Sequence, residues 1–218
     1  MSERPSSERA ESAVIHVIDD DEAVRDSLAF LLASAGHTVL THSSAQAFVE
    51  AGLPGADPDA ACIITDVRMP DMTGIDLLRY LKERGSVVPV VVVTGHGDVP
   101  LAVEAMKLGA ADFLEKPFDD VAILDTVKAV LARHHETHQQ HALVEQVADR
   151  IAALSHRERQ VLECLVAGQA NKMIAYGLGI SPRTVEVYRA NVMTKMKAQS
   201  LSELVRMALL AGITPNAA

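Results

Sequence analysis

The chain has 218 residues, of which 49% are apolar, and a formal net charge of −9. That length suits two domains better than one, the apolar fraction is ordinary for a globular protein, and no apolar stretch is long enough to span a membrane. The two cysteines, Cys62 and Cys164, lie in apolar patterns and read as small core residues rather than as a disulfide or a metal pair.

Residues 1–12 are rich in Ser, Glu and Arg and lack the apolar core of a signal peptide. They read as a disordered tail, and a cytoplasmic protein with no membrane partner is expected. From Val14 onward, short β-branched runs alternate with helical periodicity. Strands are predicted near 14–18, 38–42, 61–66, 88–94 and 111–115. Helices are predicted near 21–35, 44–51, 73–84, 99–108 and 119–133. Five such repeats imply a doubly wound α/β fold, a parallel sheet with helices on both faces. Pro54, Gly55 and Pro58 mark the loop before the third strand, and His96 reads as a loop residue. Gly74 reads as opening the third helix with little steric demand.

The chemistry lies at the strand ends. The first run ends in Asp19, Asp20 and Asp21, the third in Asp66, the fourth in Thr94 and the fifth in Lys116. In an open parallel sheet the carboxyl ends of the strands are where ligands bind. Asp21 reads as the cap of the following helix. The other carboxylates need a cation, or must shift their pKa values to coexist. Oxygen-only ligands select a hard ion such as Mg²⁺, and a carboxylate beside such an ion is a nucleophile toward phosphoryl groups. Thr94 and Lys116 add a hydroxyl and an ammonium that can neutralise a phosphoryl group.

A His- and Gln-rich connector follows. On a helix, His134, His138 and His141 would share one face at ligand-like spacing. No cysteine joins them, and a solvated helical linker is the reading adopted. Beyond it the chain reads as all helical. Ser155 and Glu158 form a capping box. Asn171 is read as a second N-cap, with Gly177 and Gly179 closing that helix. Ser181-Pro182 opens a third helix, and Ser200 or Ser202 opens a fourth that ends near Gly212. Two helices joined through Gly179-Ile180-Ser181 read as a helix-turn-helix. From Arg150 onward nine Lys or Arg stand against four Glu, about +5; before it eleven stand against twenty-five Asp or Glu, about −14. A basic half suggests contact with nucleic acid.

On a wheel of 100° per residue, Val185, Tyr188, Val192 and Met196 fall on one side of the third helix and should be core. Arg183, Val187, Ala190 and Thr194 lie opposite, with Glu186 and Asn191 at the flanks. That outward face is expected in the major groove. Glu186 could accept from cytosine, and Val187 or Ala190 could meet a thymine methyl. Lys172, Arg183 and Thr184, near helix N-termini, are expected at phosphates. Arg189, at the edge of the core stripe, is expected to touch phosphate or pack.

The segments "VIDDD", "ITDVRMPDMTGIDLL" and "VVVTGHGDVPLAVEAMKLGAADFLEKPF" resemble the receiver domain of two-component response regulators, of the FixJ type. The segment "LSHRERQVLECLVAGQANKMIAYGLGISPRTVEVYRANVMTKMKAQSLSELVRMAL" resembles the LuxR-type DNA-binding domain that such regulators carry. The resemblance implies a five-stranded sheet of order 2-1-3-4-5, followed by a small all-α four-helix helix-turn-helix domain. It divides the chain into a tail at 1–12, a receiver at 13–134, a linker at 135–149, a DNA-binding domain at 150–212 and a tail at 213–218.

The resemblance also implies roles. Asp66 would be the phosphoacceptor. Asp19, Asp20, Asp66 and the backbone carbonyl of Arg68 would hold Mg²⁺, and Lys116 and Thr94 would take phosphoryl oxygens. Thr94 and Phe113 would form the switch, and the Lys116–Pro117 bond would be cis. The implied partners are a sensor histidine kinase, double-stranded DNA and a second copy of the chain, met through the fourth helix and fifth strand. RNA polymerase is a further candidate partner. Activation could run through dimerisation, or through release of the basic domain from the acidic receiver. Such a chain is a transcription regulator rather than a conventional enzyme. A haloacid-dehalogenase-type phosphatase would need an acid two residues after Asp66, where Arg68 stands.

Overall fold

The computed structural model describes residues 13–52, 61–95 and 99–214. The expected tail at 1–12, the end of the tail at 213–218, the Pro54–Pro58 loop and His96 lie outside them. The chain divides into two compact units, Met1–Thr137 and His138–Ala218.

The first unit alternates strand and helix: β1 (Val14–Ile18), α1 (Glu22–Ser34), β2 (Thr38–His42), α2 (Ala45–Ala51), β3 (Ala61–Asp66), α3 (Gly74–Glu83), β4 (Val90–Thr94), α4 (Val99–Leu108) and β5 (Asp112–Glu115). The helix α5 runs from Asp120 to Ala152 without a break, so the predicted fifth helix and the predicted linker are one helix. The sheet is parallel throughout, in the order β2-β1-β3-β4-β5.

Strand periodicity builds two cores. Ile63 and Val92 face one side of the sheet with Phe48, Leu77, Leu78 and Ala105 from α2, α3 and α4. Their neighbours Ile64, Val91 and Val93 face the other, with Leu28, Leu32, Ile123 and Val127 from α1 and α5. Successive strand residues point to opposite faces, so unbroken runs such as Val90–Val93 are what a sheet covered on both sides requires. Each fully buried Ile, Leu or Phe contributes about 1.5–3 kcal/mol.

Capping sets the helix starts near the strand ends. Asp21 caps α1 by accepting from the amides of Ala23 and Val24. Thr73 and Asp76 form a full capping box on α3. Between them and β3, Gly74 meets a demand that the sequence reading missed. A Cβ there would fall far inside contact distance of the Asp66 carbonyl oxygen and 3.2 Å from the Cα of Val67. The position takes glycine because two backbones meet there, not because the helix start is roomy.

The second unit contains α6 (His156–Val166), α7 (Asn171–Leu178), α8 (Pro182–Met196) and α9 (Leu201–Leu210). Ser155, Ser181 and Ser200 cap α6, α8 and α9. Asn171 is not the cap of α7: Ala170 holds that place without a side-chain bond. The Asn171 side chain accepts instead from Arg189 of α8 at 3.5 Å, so its oxygen serves helix packing. Gly179, in the left-handed region at φ 65°, ends α7; Gly177 lies inside it. The core joins Val147 and Ile151 to Val161, Leu162, Ile174, Val185, Val192, Met196 and Leu204. Lys195 of α8 bonds the carboxylate of Glu158 at 2.7 Å, while the amide of Ser155 donates to the same carboxylate oxygen.

Candidate phosphoacceptor site and nucleic-acid face

The sheet order reverses between β1 and β3, and the crevice at such a point is the expected ligand site of an open α/β sheet. Asp19 follows β1 directly, and Asp66 ends β3 beside it in the parallel register. Both are buried, at 3% and 8% exposure. Lys116, just after β5, bridges them. Its Nζ lies 2.7 Å from Oδ1 of Asp66 and 2.8 Å from Oδ2 of Asp19. The Arg68 amide donates to Oδ2 of Asp66 at 2.6 Å, and the Asp21 amide to Oδ1 of Asp19 at 2.9 Å. The Lys116–Pro117 bond is cis.

One ammonium between two carboxylates leaves a net negative charge in a half-dry pocket. Burial pushes the Asp66 carboxyl above its ordinary range, against the hydrogen bond and charge of Lys116 and the Arg68 amide; the charge of Asp19 adds to the rise. Burial alone would lower Lys116, but its bonds to Asp19 and Asp66 outweigh that and raise it. The ammonium is thus held by two anions, whereas at Asp66 burial outweighs both the one ammonium it shares with Asp19 and the Arg68 amide.

The other predicted residues are placed as follows. Asp20 is exposed, with no hydrogen bond to this network. Among the described residues no group of three or more His, Cys, Asp or Glu side chains converges as a metal site. The donor chemistry nonetheless fits a hard cation: two buried carboxylates with excess negative charge, and only oxygen ligands nearby. Thr94 is 2% exposed, its hydroxyl donating to the Gly95 carbonyl at 3.3 Å, so it is not bonded to Asp66. Phe113 points outward, 44% exposed, and with Ala102, Val103, Met106 and Lys107 lines an apolar hollow on the α4–β5 face.

On the second unit, Val185, Val192 and Met196 of α8 are fully buried and Tyr188 partly so. Arg183, Glu186, Val187, Ala190 and Asn191 are exposed on the same helix. Lys172 is exposed near the start of α7. The hydroxyl of Thr184 is engaged with Ser181 at 2.8 Å within the cap of α8. Arg189 is half-buried against Asn171.

Comparison with known proteins places both units. Residues 15–128 match the response regulator receiver domain, and residues 152–208 match the luxR family of bacterial regulatory proteins. The chain is 67% identical over 205 residues to the transcriptional regulatory protein FixJ of Azorhizobium caulinodans, covering 94% of this chain and 96% of that one. It is 51% identical to FixJ of Rhizobium meliloti over 93% of this chain and 98% of the relative. Among solved structures, full-length FixJ from B. japonicum is 54% identical and matches with a TM-score of 0.58, over 92% of this chain and 98% of that one. The response regulator StyR matches with a TM-score of 0.79 at 39% identity, over 91% and 98%.

Proposed function

The chain belongs to the FixJ type of two-component response regulators, transcription factors with a receiver and a luxR-type DNA-binding domain, and on that premise we propose that phosphorylation of Asp66 controls its binding to promoter DNA. Receivers of this family catalyse their own phosphorylation and dephosphorylation and are not conventional enzymes. The family context supports a sensor histidine kinase and DNA as partners. Among the described residues no helix is long and apolar enough to cross a membrane; a cytoplasmic place fits that partnership.

The observation that carries the proposal is Lys116 spanning Asp66 and Asp19 at 2.7 and 2.8 Å. An Asp66 carboxylate oxygen attacks phosphorus. The P–N bond of the donor phosphohistidine breaks, and its electron pair returns to the imidazole. Lys116 is placed to neutralise the incoming oxygens, and the Arg68 amide fixes the other carboxylate oxygen in place. Asp19, Asp20, Asp66 and the Arg68 carbonyl would hold Mg²⁺, which would supply charge neutralisation at the phosphoryl group when bound. Thr94 then turns its hydroxyl from Gly95 to the phosphoryl group, and the Phe113 ring moves inward into the space left.

Withdrawing Phe113 reshapes the hollow it shares with Val103 and Met106, and we infer that two receivers pair through this α4–β5 face. The opposed charges of the two halves also fit a masking mechanism, and RNA polymerase is the further partner of an activator. On DNA, α8 enters the major groove with Glu186, Val187, Ala190 and Asn191 toward base edges; Lys172, Arg183 and Thr184 hold phosphates, and Arg189 braces α7. Intact-mass measurement after treatment with a small-molecule phosphodonor and Mg²⁺ tests the acceptor. Wild type should gain one phosphoryl group and Asp66→Asn none; an equally modified variant overturns the assignment.

A further inference from the structure

Two histidine rings meet on the face of the sheet that packs Phe48. The β1–β2 register puts Ile18 opposite His42, so His16 and His42 point to the same face. Nδ1 of His16 lies 3.1 Å from Nε2 of His42, and the rings stack with centroids 5.4 Å apart. Phe48 of α2, fully buried, meets both rings edge-on at 5.2 Å. Burial, with His42 adding, lowers the pKa of His16 to about 4. Burial also lowers that of His42, so at pH 7 both rings are neutral and one donates to the other. Replacing both partners of such a pair by apolar groups of the same shape can be nearly neutral for stability. What the pair adds is one fixed geometry, because a fully satisfied polar contact rigidifies its surroundings.

We propose that the His16–His42 pair positions Asp19 for Mg²⁺, acting through the backbone of β2, an inference that rests on the Mg²⁺ reading above. The link is one hydrogen bond. The Asp19 amide donates to the His42 carbonyl at 3.2 Å, which extends the β1–β2 ladder one residue past Ile18. The His42 ring, pinned by His16 and Phe48, fixes the residue whose carbonyl holds that amide. The Asp19 carbonyl in turn accepts from the Arg25 guanidinium at 2.8 Å. Both polar atoms of the Asp19 main chain are therefore held, and its carboxylate meets Lys116 from a fixed base. β2 is an edge strand, paired only with β1 among the described residues, so its end has no second strand to hold it. The ring pair supplies that restraint. Removing a group that orients a metal ligand lowers metal affinity or activity by about 10–100-fold.

The test uses the full chain, titrated with Mg²⁺ alone and followed by the amide resonances of Asp19 to Asp21. Phosphorylation rates with a small-molecule phosphodonor are measured over the same Mg²⁺ range. His16→Leu and His42→Leu each break the ring bond and leave an apolar side chain against Phe48. Each should raise the half-saturating Mg²⁺ concentration by about tenfold and speed hydrogen exchange at the Asp19 amide. The phosphorylation rate at saturating Mg²⁺ should stay near wild type, a split that general loosening would not give. The double variant should match the single ones, because the rings act as a unit. His42→Gln, whose side-chain nitrogen can stand where Nε2 stood, should restore most of the affinity. His42→Phe, which keeps a ring and loses the bond, carries the same expectation as His42→Leu if the leucine variants unfold. Wild-type half-saturation in His42→Leu and His42→Phe would overturn the proposal, and so would a loss in His42→Gln as large as theirs. A wild type with no Mg²⁺-dependent shift at Asp19 would overturn the Mg²⁺ reading itself, and the proposal with it.

Discussion

Gly74 lies against the backbone of Asp66, the proposed phosphoacceptor. Its amide donates to the Val67 carbonyl at 3.0 Å, and no Cβ fits between it and the Asp66 carbonyl. The contact fixes the end of β3 to the start of α3, and Thr73 and Asp76 clamp that start with their capping box. Gly74→Ala should therefore cost about 1–3 kcal/mol of receiver stability, as overpacking does. It should also slow phosphorylation, because the strand end that carries Asp66 must shift. Urea unfolding and a phosphorylation time course check both effects; a variant with wild-type values in both would show that the backbone yields freely there.

Asp66 is held above its ordinary pKa by burial, so its proton is bound more tightly in the folded state than in the unfolded one. A raised carboxyl favours folding fully below its unfolded pKa, and that contribution is lost as pH rises through the folded value. At neutral pH the buried charge is thus a cost. Asp66→Asn should raise the urea midpoint of the receiver at pH 7, and the gain should shrink as pH falls toward the ordinary carboxylate range. A variant less stable than wild type at pH 7 would mean that Lys116 compensates Asp66 fully.

Glu158 behaves in the opposite sense. The bond from Lys195, the Ser155 amide and the charge of Lys195 bring its pKa from 4.5 to about 2 despite burial. A depressed carboxyl contributes stability above its unfolded pKa, and that stability is lost as pH falls through the folded value. Glu158→Gln should weaken the DNA-binding unit at pH 7, and the difference from wild type should close between pH 4.5 and about 2. Circular dichroism during urea titration at several pH values reads this directly. A constant difference across that range would remove the ion pair from the explanation.

Much of this was legible in the chain itself. Alternating β-branched runs and helical spacing gave the sheet and its helices, because a strand buried on both faces leaves an unmistakable apolar run such as Val90–Val93. The strand-end acids and Lys116 marked one crevice because a parallel sheet brings its carboxyl ends together. What stayed hidden depends on neighbours distant in sequence. The role of Gly74 needs the Asp66 carbonyl opposite it, and nothing local distinguishes it from an ordinary helix start. Asn171 has the chemistry of a cap, but Arg189 takes its side chain across the helix-turn-helix. The exposure of Asp20 and the outward ring of Phe113 are likewise set by packing, which spacing alone does not report.

The two kinds of proposed DNA contact should separate by mutation. Lys172→Ala removes a phosphate contact, which carries no sequence information, and should weaken all sites alike while flattening the salt slope by about one unit. Glu186→Ala removes a group at base edges, where one contact discriminates by about 1–3 kcal/mol. It should change the ranking of sites more than overall affinity. Selection from a randomised duplex library is the measurement; recovery of the wild-type consensus by Glu186→Ala would place that side chain outside the groove.

The most direct test of phosphorylation control is a DNA-binding titration on one promoter fragment at fixed salt, with and without phosphodonor and Mg²⁺, for wild type and Asp66→Asn. Wild type should bind more tightly after phosphorylation, with sedimentation showing a shift toward dimers, and Asp66→Asn should bind identically in both conditions. Equal affinity of phosphorylated and unphosphorylated wild type, or a response that survives in Asp66→Asn, would contradict control of DNA binding through Asp66.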